Sequence, residues 1–481
     1  MAFLVLIIYT VSLFIRPHEW GVLINEESTL IRDTLLICMA LFLFSRNKNL
    51  NSPQLVLMVF MLIAVFASVA SSGWLGGAMT YGEAFLRTAF IPFVLVSGIV
   101  DTVKKQYLMF ITIICATLIM VANGHVQVTS ETGLGLVGNP YYLEGQTVRI
   151  TYLGYFSDPN DLGMLFAMTL PLLFLIKLKI PAILRIVVWA AVASILYGIY
   201  LTNSRGTLLA TLSLFGFWYW RTYGTKKSVF LGVLVSPALL FILSRFRTIS
   251  ADDSSSQGRL DAWYQGYQML VSNPVFGVGQ SQFMDYHTHT AHNSFVLAFA
   301  EMGLFGCLIW VGLLTVSVMG LINIAQNKFT LAESSEGIGT STETANLDVG
   351  SKIILKGNGK SNGNGNGYGK GTGNGNGKGN GNGNSTGKLD VMQQSLRAES
   401  LIAIALLYCL IAYMVSGFFL SRTYVPVLYL YLGMASACFG RVSRILPKNV
   451  PIFDAQQVAK ISVGVTVGGI FAVYLLIKVA L

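Results

Sequence analysis

Three histidines fall close together at His287, His289 and His292, with Asp285 just ahead of them. Two chemistries compete for this cluster. Neutral imidazoles with a carboxylate suit zinc, so an H-x-H-x-x-H site completed by Asp285 is one reading, although the spacing is not a strong metal signature. The other gives the work to a single ring, because imidazole is the side chain whose unperturbed pKa suits proton transfer near neutrality. We take His292 as that candidate base, treat His287 and His289 as loop residues, and expect no metal. A purely structural His292, bonding the start of the next helix, is the plain alternative. Cations supply the second ingredient. Arg205 sits in the short turn Leu201-Thr202-Asn203-Ser204-Arg205-Gly206-Thr207, Arg422 in Leu420-Ser421-Arg422-Thr423, Arg87 near the end of an apolar run, and Arg259 opens Gly258-Arg259-Leu260-Asp261-Ala262-Trp263. A charge at the edge of an apolar run needs a partner or a function. An arginine reaching out to lipid phosphates is the alternative.

The elements that carry these residues follow from composition. The chain has 481 residues, 53% hydrophobic and only 11% charged, with mean hydropathy +0.62. These values exclude an ordinary soluble domain. Apolar runs recur from residues 2–15 to 458–480 without the alternation of barrel strands, so each is read as a helix whose backbone is satisfied within the segment. The expected fold class is an all-α polytopic integral membrane protein with about 12–13 spans. The first run ends in Phe14-Ile15-Arg16-Pro17 rather than in a small-residue cleavage site, so it is expected to stay in the protein.

The net charge of +10, from 32 Lys+Arg against 22 Asp+Glu, is not a nucleic-acid signature here. The basic residues collect in alternate loops, which puts the N-terminus in the cytoplasm by the positive-inside rule. Arg87, Arg205, Arg259 and Arg422 then all fall on the outer side against that bias, which points to something anionic bound there. All five cysteines lie inside apolar runs with no C-x-x-C spacing, so neither a disulfide framework nor a thiolate metal site is expected.

The expected organisation is a membrane domain at 1–325 with a large outer loop at 245–292 between the ninth and tenth spans, a cytoplasmic loop at 326–398, and further transmembrane helices at 399–481. Residues 357–387 are almost pure Gly, Asn and Lys and cannot build a core, so this stretch is expected to be a disordered linker. Its deletion is expected to leave activity intact; loss of folded protein in the deletion variant would contradict that. Two local signals lie nearer the chemistry. In Phe156-Ser157-Asp158-Pro159-Asn160-Asp161-Leu162-Gly163, Ser157 or Asp158 ahead of Pro159 predicts a capped helix start. Leu260, Trp263, Tyr267 and Leu270 recur at helical spacing, predicting an amphipathic helix ended by Asn273-Pro274. Its aromatic stripe reads as packing before sugar stacking.

His292-Asn293, nine residues, then Gly303-Leu304-Phe305-Gly306 resembles the H-N-x9-G-x-x-G signature of the O-antigen ligase/polymerase family. FSDPNDLG at 156–163, TNSRG at 202–206, GRLDAW at 258–263 and NPVFGVG at 273–279 agree in order and side, so the resemblance covers roughly residues 150–310. The long Gly/Asn insertion and an extra C-terminal span depart from the usual pattern. The resemblance implies glycan transfer from an undecaprenyl-diphosphate-type carrier to an acceptor hydroxyl, on the periplasmic face of the bacterial cytoplasmic membrane, with no required cofactor. In those terms His292 activates the acceptor, and Arg205 and Arg259 bind the diphosphate, with Arg87 and Arg422 as weaker candidates. Partners would be the lipid-linked donor, a glycan, lipid or protein acceptor, and membrane lipids, with no nucleic acid. The acceptor separates a ligase from a repeat-unit polymerase or a protein O-oligosaccharyltransferase, and no residue names it. A transporter is the reading from a different class; it expects ionisable residues near the bilayer midplane, whereas these cluster at one face.

Overall fold

The computed structural model describes residues 1–20, 29–45, 48–136, 140, 142–143, 146–245, 256–327, 383–446 and 451–480. The first helices are α1 (Ala2–Ile15), α2 (Leu30–Leu43) and α3 (Pro53–Ala70). Next, α4 (Leu75–Phe85) runs through a π-helical turn at Leu86–Phe90 into α5 (Ile91–Ile99), and α6 (Val103–Ser130) follows. Two-residue strands β1 (Tyr142–Leu143) and β2 (Gln146–Thr147) form a small antiparallel pair with Tyr142 opposite Thr147. Then come α7 (Pro159–Lys177), α8 (Arg185–Thr202), α9 (Arg205–Tyr223) and α10 (Thr225–Arg245). The last group is α11 (Ser256–Ser272), α12 (Phe283–Tyr286), α13 (Ser294–Gln326), α14 (Gly383–Gly417), α15 (Pro426–Ile445) and α16 (Ala455–Ala480).

Among the described residues eight helical rods are long and apolar enough to cross a membrane, and α1 is a shorter apolar helix. The chain is an all-α polytopic membrane protein. Residues 246–255 of the expected outer loop, and the Gly/Asn-rich tract up to residue 382, lie outside the described residues.

The helix start predicted at Asp158-Pro159 is present, and other helices begin by the same chemistry. Pro53, Pro159 and Pro426 occupy first-turn positions, where a missing N–H is harmless. Thr102, Asp158, Ser204 and Asn293 each cap the helix that follows with a side-chain oxygen. A helix that is apolar all round belongs inside, and α7 and α15 are that kind, with nearly every residue from Pro426 to Val442 buried in α15. They form the core together with α13 and α14.

One end of this core is locked by a buried ion pair. Arg441 on α15 donates from Nε and Nη2 to the two carboxylate oxygens of Glu399 on α14, at 2.6 and 2.9 Å, and from Nη1 to the Val100 carbonyl at 2.7 Å. The two side chains are only 5% and 1% exposed. Removing one partner strands a buried charge, so Arg441→Met should destabilise the fold by about 3–5 kcal/mol. Replacing both, as Arg441→Met with Glu399→Leu, should recover much of that loss in detergent thermal unfolding; equal melting of Arg441→Met and wild type would contradict the pairing.

Candidate functional site

The opposite end of the bundle gathers the sequence motifs. His292 stands between Ala291, which is fully buried, and the cap residue Asn293. Its φ of +49° lies in the left-handed region, uncommon for a non-glycine residue and a form of strain that clusters at functional sites. Both neighbours are pinned. The Trp263 indole N–H donates to the Ala291 carbonyl at 3.0 Å, and Asn293 Oδ1 accepts from the N–H groups of Phe295 and Val296 at 2.8 and 3.1 Å. The half-buried imidazole therefore sits on a backbone fixed from both sides.

The next residue ties α13 to the turn that carries Arg422. Ser294 Oγ donates to the Leu420 carbonyl at 2.6 Å and accepts from the Arg422 N–H at 2.9 Å, while Thr423 Oγ1 donates to the Ser294 carbonyl at 2.7 Å. Arg422 sends its side chain the other way. Its Nε and Nη2 both bond the Asp161 carboxylate, Nη2 at 2.6 Å, in a two-pronged pair with the first turn of α7. Burial works against the Arg422 charge, but the Asp161 carboxylate outweighs it and raises the guanidinium pKa.

Arg205 and Arg259 approach the same turn through aromatic side chains. Phe418 and Phe419 stack edge-on at 5.3 Å, and Trp263 meets Phe418 edge-on at 5.7 Å. Trp263 is one helical turn beyond Arg259 on α11, so the two share a face. On the other side Gly206 lies against Phe419, where an added side chain would come within 3.2 Å of the ring's Cβ. Arg205 precedes Gly206 as the first residue of α9, with Ser204 Oγ capping Thr207 at 3.2 Å. The residue before His292, the Arg205 turn and the Arg259 helix are thus joined through Trp263, Phe418 and Phe419.

Arg149, a buried residue, braces this end by donating to the Thr202 carbonyl at 3.0 Å and to Asn160 Oδ1 at 2.8 Å. It couples the turn before Arg205 to the start of α7. Arg87 is exposed and faces Glu83 at 3.8 Å; no hydrogen bond or ion pair described joins it to His292. Arg422 and Arg87 thus each face a carboxylate, Asp161 and Glu83. His287 folds back on its own loop, its Nδ1 being 2.8 Å from the His289 carbonyl oxygen and 3.1 Å from the His289 nitrogen. Among the described residues no three His, Cys, Asp or Glu side chains are grouped to hold a metal ion.

Gly303 of the motif shapes the backbone. Gly303 has φ +63° and ψ −164°, which breaks α13 into arms at 294–302 and 304–326. Residues 273–279 dock at the break: the N–H groups of Leu304 and Phe305 donate to the carbonyls of Pro274 and Val275 at 2.8 and 3.1 Å, and those of Val278 and Gly279 to Ala300 and Glu301 at 3.0 and 2.9 Å. A side chain on Gly303 would come within 2.6 Å of the Gly277 nitrogen, so glycine is required by the loop's close approach.

Three acidic or braced residues escaped the reading of the sequence: Asp161, Arg149 and Glu301. Glu301 is buried on the short arm of α13 and its Oε1 accepts the Phe283 N–H at 3.3 Å. Tyr424 faces it from the Arg422 turn, its phenol raised well above the usual value by burial and by that carboxylate. The signal available was a lone carboxylate inside Ala298-Phe299-Ala300-Glu301-Met302.

A helical membrane protein with a half-buried imidazole at one end, on the segment tied to the Arg422 turn, is the class that fold and site define. Residues 189–311, from α8 into α13, match the family model described as O-antigen ligase, which bears out the resemblance over a stretch holding Arg205, Arg259 and His292. No curated protein matches the chain. The match supports glycan transfer of O-antigen ligase or polymerase type, and so a transferase-type enzyme, as the broad activity.

Proposed function

We propose that the chain transfers a glycan from an undecaprenyl-diphosphate-type carrier to an acceptor hydroxyl, in surface polysaccharide biosynthesis. The observation that carries this reading is that Trp263, Phe418 and Phe419 join the segment of His292 to the Arg205 turn and the Arg259 helix. Arg205 and Arg259 bind the diphosphate through planar, charge-assisted donors and stabilise it as it leaves. His292 takes the acceptor hydroxyl proton while that oxygen attacks the anomeric carbon. The bond from that carbon to the phosphate oxygen breaks, and the electron pair departs on the lipid diphosphate. Arg422, paired with Asp161, holds the turn on which the His292 segment rests, and Arg87 stands with Glu83.

In this reading the site end faces the periplasm, with the loop at 245–292 outside the cytoplasmic membrane of a bacterium and the segment at 326–398 in the cytoplasm. A repeat-unit polymerase or protein O-oligosaccharyltransferase would use the same donor half of the site with another acceptor. Arg205→Ala and Arg259→Ala are each expected to lower transfer by about 10²–10³-fold, as loss of a charge-stabilising donor does. The check is an initial-rate assay with a lipid-linked glycan and protein recovered at wild-type level; unchanged rates in both variants would remove the clamp. Glycan and lipid analysis of a deletion strain separates the acceptor classes. Short glycans indicate polymerisation, carrier-linked chains that accumulate indicate ligation, and an unaltered glycan profile would contradict the function.

A further inference from the structure

A cavity of about 330 Å³ lies beside the start of α13, between its long arm, α14 and α16. Leu314 and Val318 line it from α13, Met414 from α14, and Ile461 and Val465 from α16. At the site end it reaches Asn293, Ser294 and Phe418, the immediate neighbours of His292 and of the aromatic contact that brings in Arg259. The polar atoms at that end are already committed: Asn293 Oδ1 caps α13, Ser294 Oγ bonds the Leu420 and Arg422 backbone, and Tyr413 donates its hydroxyl to the Arg422 carbonyl at 2.8 Å. An occupant therefore meets an apolar wall. Val465 is 48% exposed and the membrane-crossing stretch of α16 turns most of its surface outward, so the slot lies at the side of the bundle, where lipid can enter.

Resting on the functional reading above, we propose that this slot takes the isoprenoid tail of the donor, seating the units nearest the diphosphate so that the anion arrives beside His292. Continuity argues for the donor: the slot ends at the residues that adjoin His292 and the Arg259 helix, so a chain lying in it has its polar end beside the His292 segment. One further observation favours an unsaturated chain. Trp310 lines the slot, and its buried indole N–H has no hydrogen-bond partner among the described residues. The π bonds of an isoprenoid can receive such a donor weakly, whereas a saturated acyl chain cannot. The α16 helix, the extra C-terminal span, then forms one wall of the donor site.

The test uses the full chain in liposomes with a photoreactive residue at position 465 and a labelled polyprenyl-diphosphate glycan. Capture of the donor, competed by unlabelled polyprenyl diphosphate and not by added phospholipid, is the expected result. Capture of phospholipid only, or no competition, would overturn the slot. In parallel, Val465→Trp should raise the donor KM about tenfold with kcat little altered, as loss of ground-state binding does. Val229→Trp, on an exposed face of α10, should change neither. If wild type transfers glycan while Val465→Trp behaves like Val229→Trp, the slot proposal alone falls. If wild type forms no glycosidic bond from this donor, the functional reading falls and the slot with it.

Discussion

His292→Asn is expected to lower glycan transfer by about 10²–10⁴-fold, the range that a positioned acid–base group supplies. Asparagine is the informative replacement because it tolerates left-handed backbone, so the +49° φ at this position survives the change. His292→Ala should lose activity equally, with a small added loss of stability from its poorer fit to that conformation. The backbone on both sides is held by other groups, Ala291 by Trp263, Asn293 by its own cap bonds and Ser294 by the Arg422 turn, so the protein is expected to stay folded. Initial rates with a lipid-linked glycan, measured beside thermal unfolding in detergent, separate the two effects. Wild-type rates in either variant would exclude His292 as the base.

Arg422→Ala is expected to act through structure before chemistry. Asp161 is 5% exposed and its two carboxylate oxygens are both held by Arg422, so the variant leaves a buried carboxylate without its counter-charge. Breaking such a pair costs about 3–5 kcal/mol. The strut also links α7 to the turn on which Ser294 rests, so the His292 segment should loosen and transfer should fall with stability. Asp161→Asn combined with Arg422→Gln removes both charges and should restore most of the melting temperature. If Arg422→Ala keeps full stability but loses transfer, the arginine binds substrate directly and the strut assignment is wrong.

The rods and one cap were legible because membrane helices announce themselves by apolar length and because Asp158-Pro159 is a strong local start signal. The α11 helix was legible for a similar reason: Trp263 and Leu270 are buried and Leu260 and Tyr267 partly so, as their spacing required. The pairing of charges was not. A lone Asp161, Glu301 or Glu399 in an apolar setting signals that a partner exists, but Arg422 lies 261 residues from Asp161, and only the tertiary packing of α7 against the end of α14 selects it. The break at Gly303 was hidden too, since a glycine in an apolar run reads equally as helix packing or as room for a docking loop. The candidate base and the two leading arginines were visible as types and motifs; what joins them, Trp263 on Phe418 and Gly206 on Phe419, depends on contacts between distant segments.

The most direct measurement reconstitutes the full chain in liposomes with a polyprenyl-diphosphate-linked glycan and an acceptor glycolipid extract, and follows two products together, the new glycosidic linkage and the freed lipid diphosphate. The account predicts that wild type forms both in equal amounts and that His292→Asn forms neither while remaining folded. Movement of the donor across the bilayer with no freed diphosphate, or equal release by the variant, would contradict it.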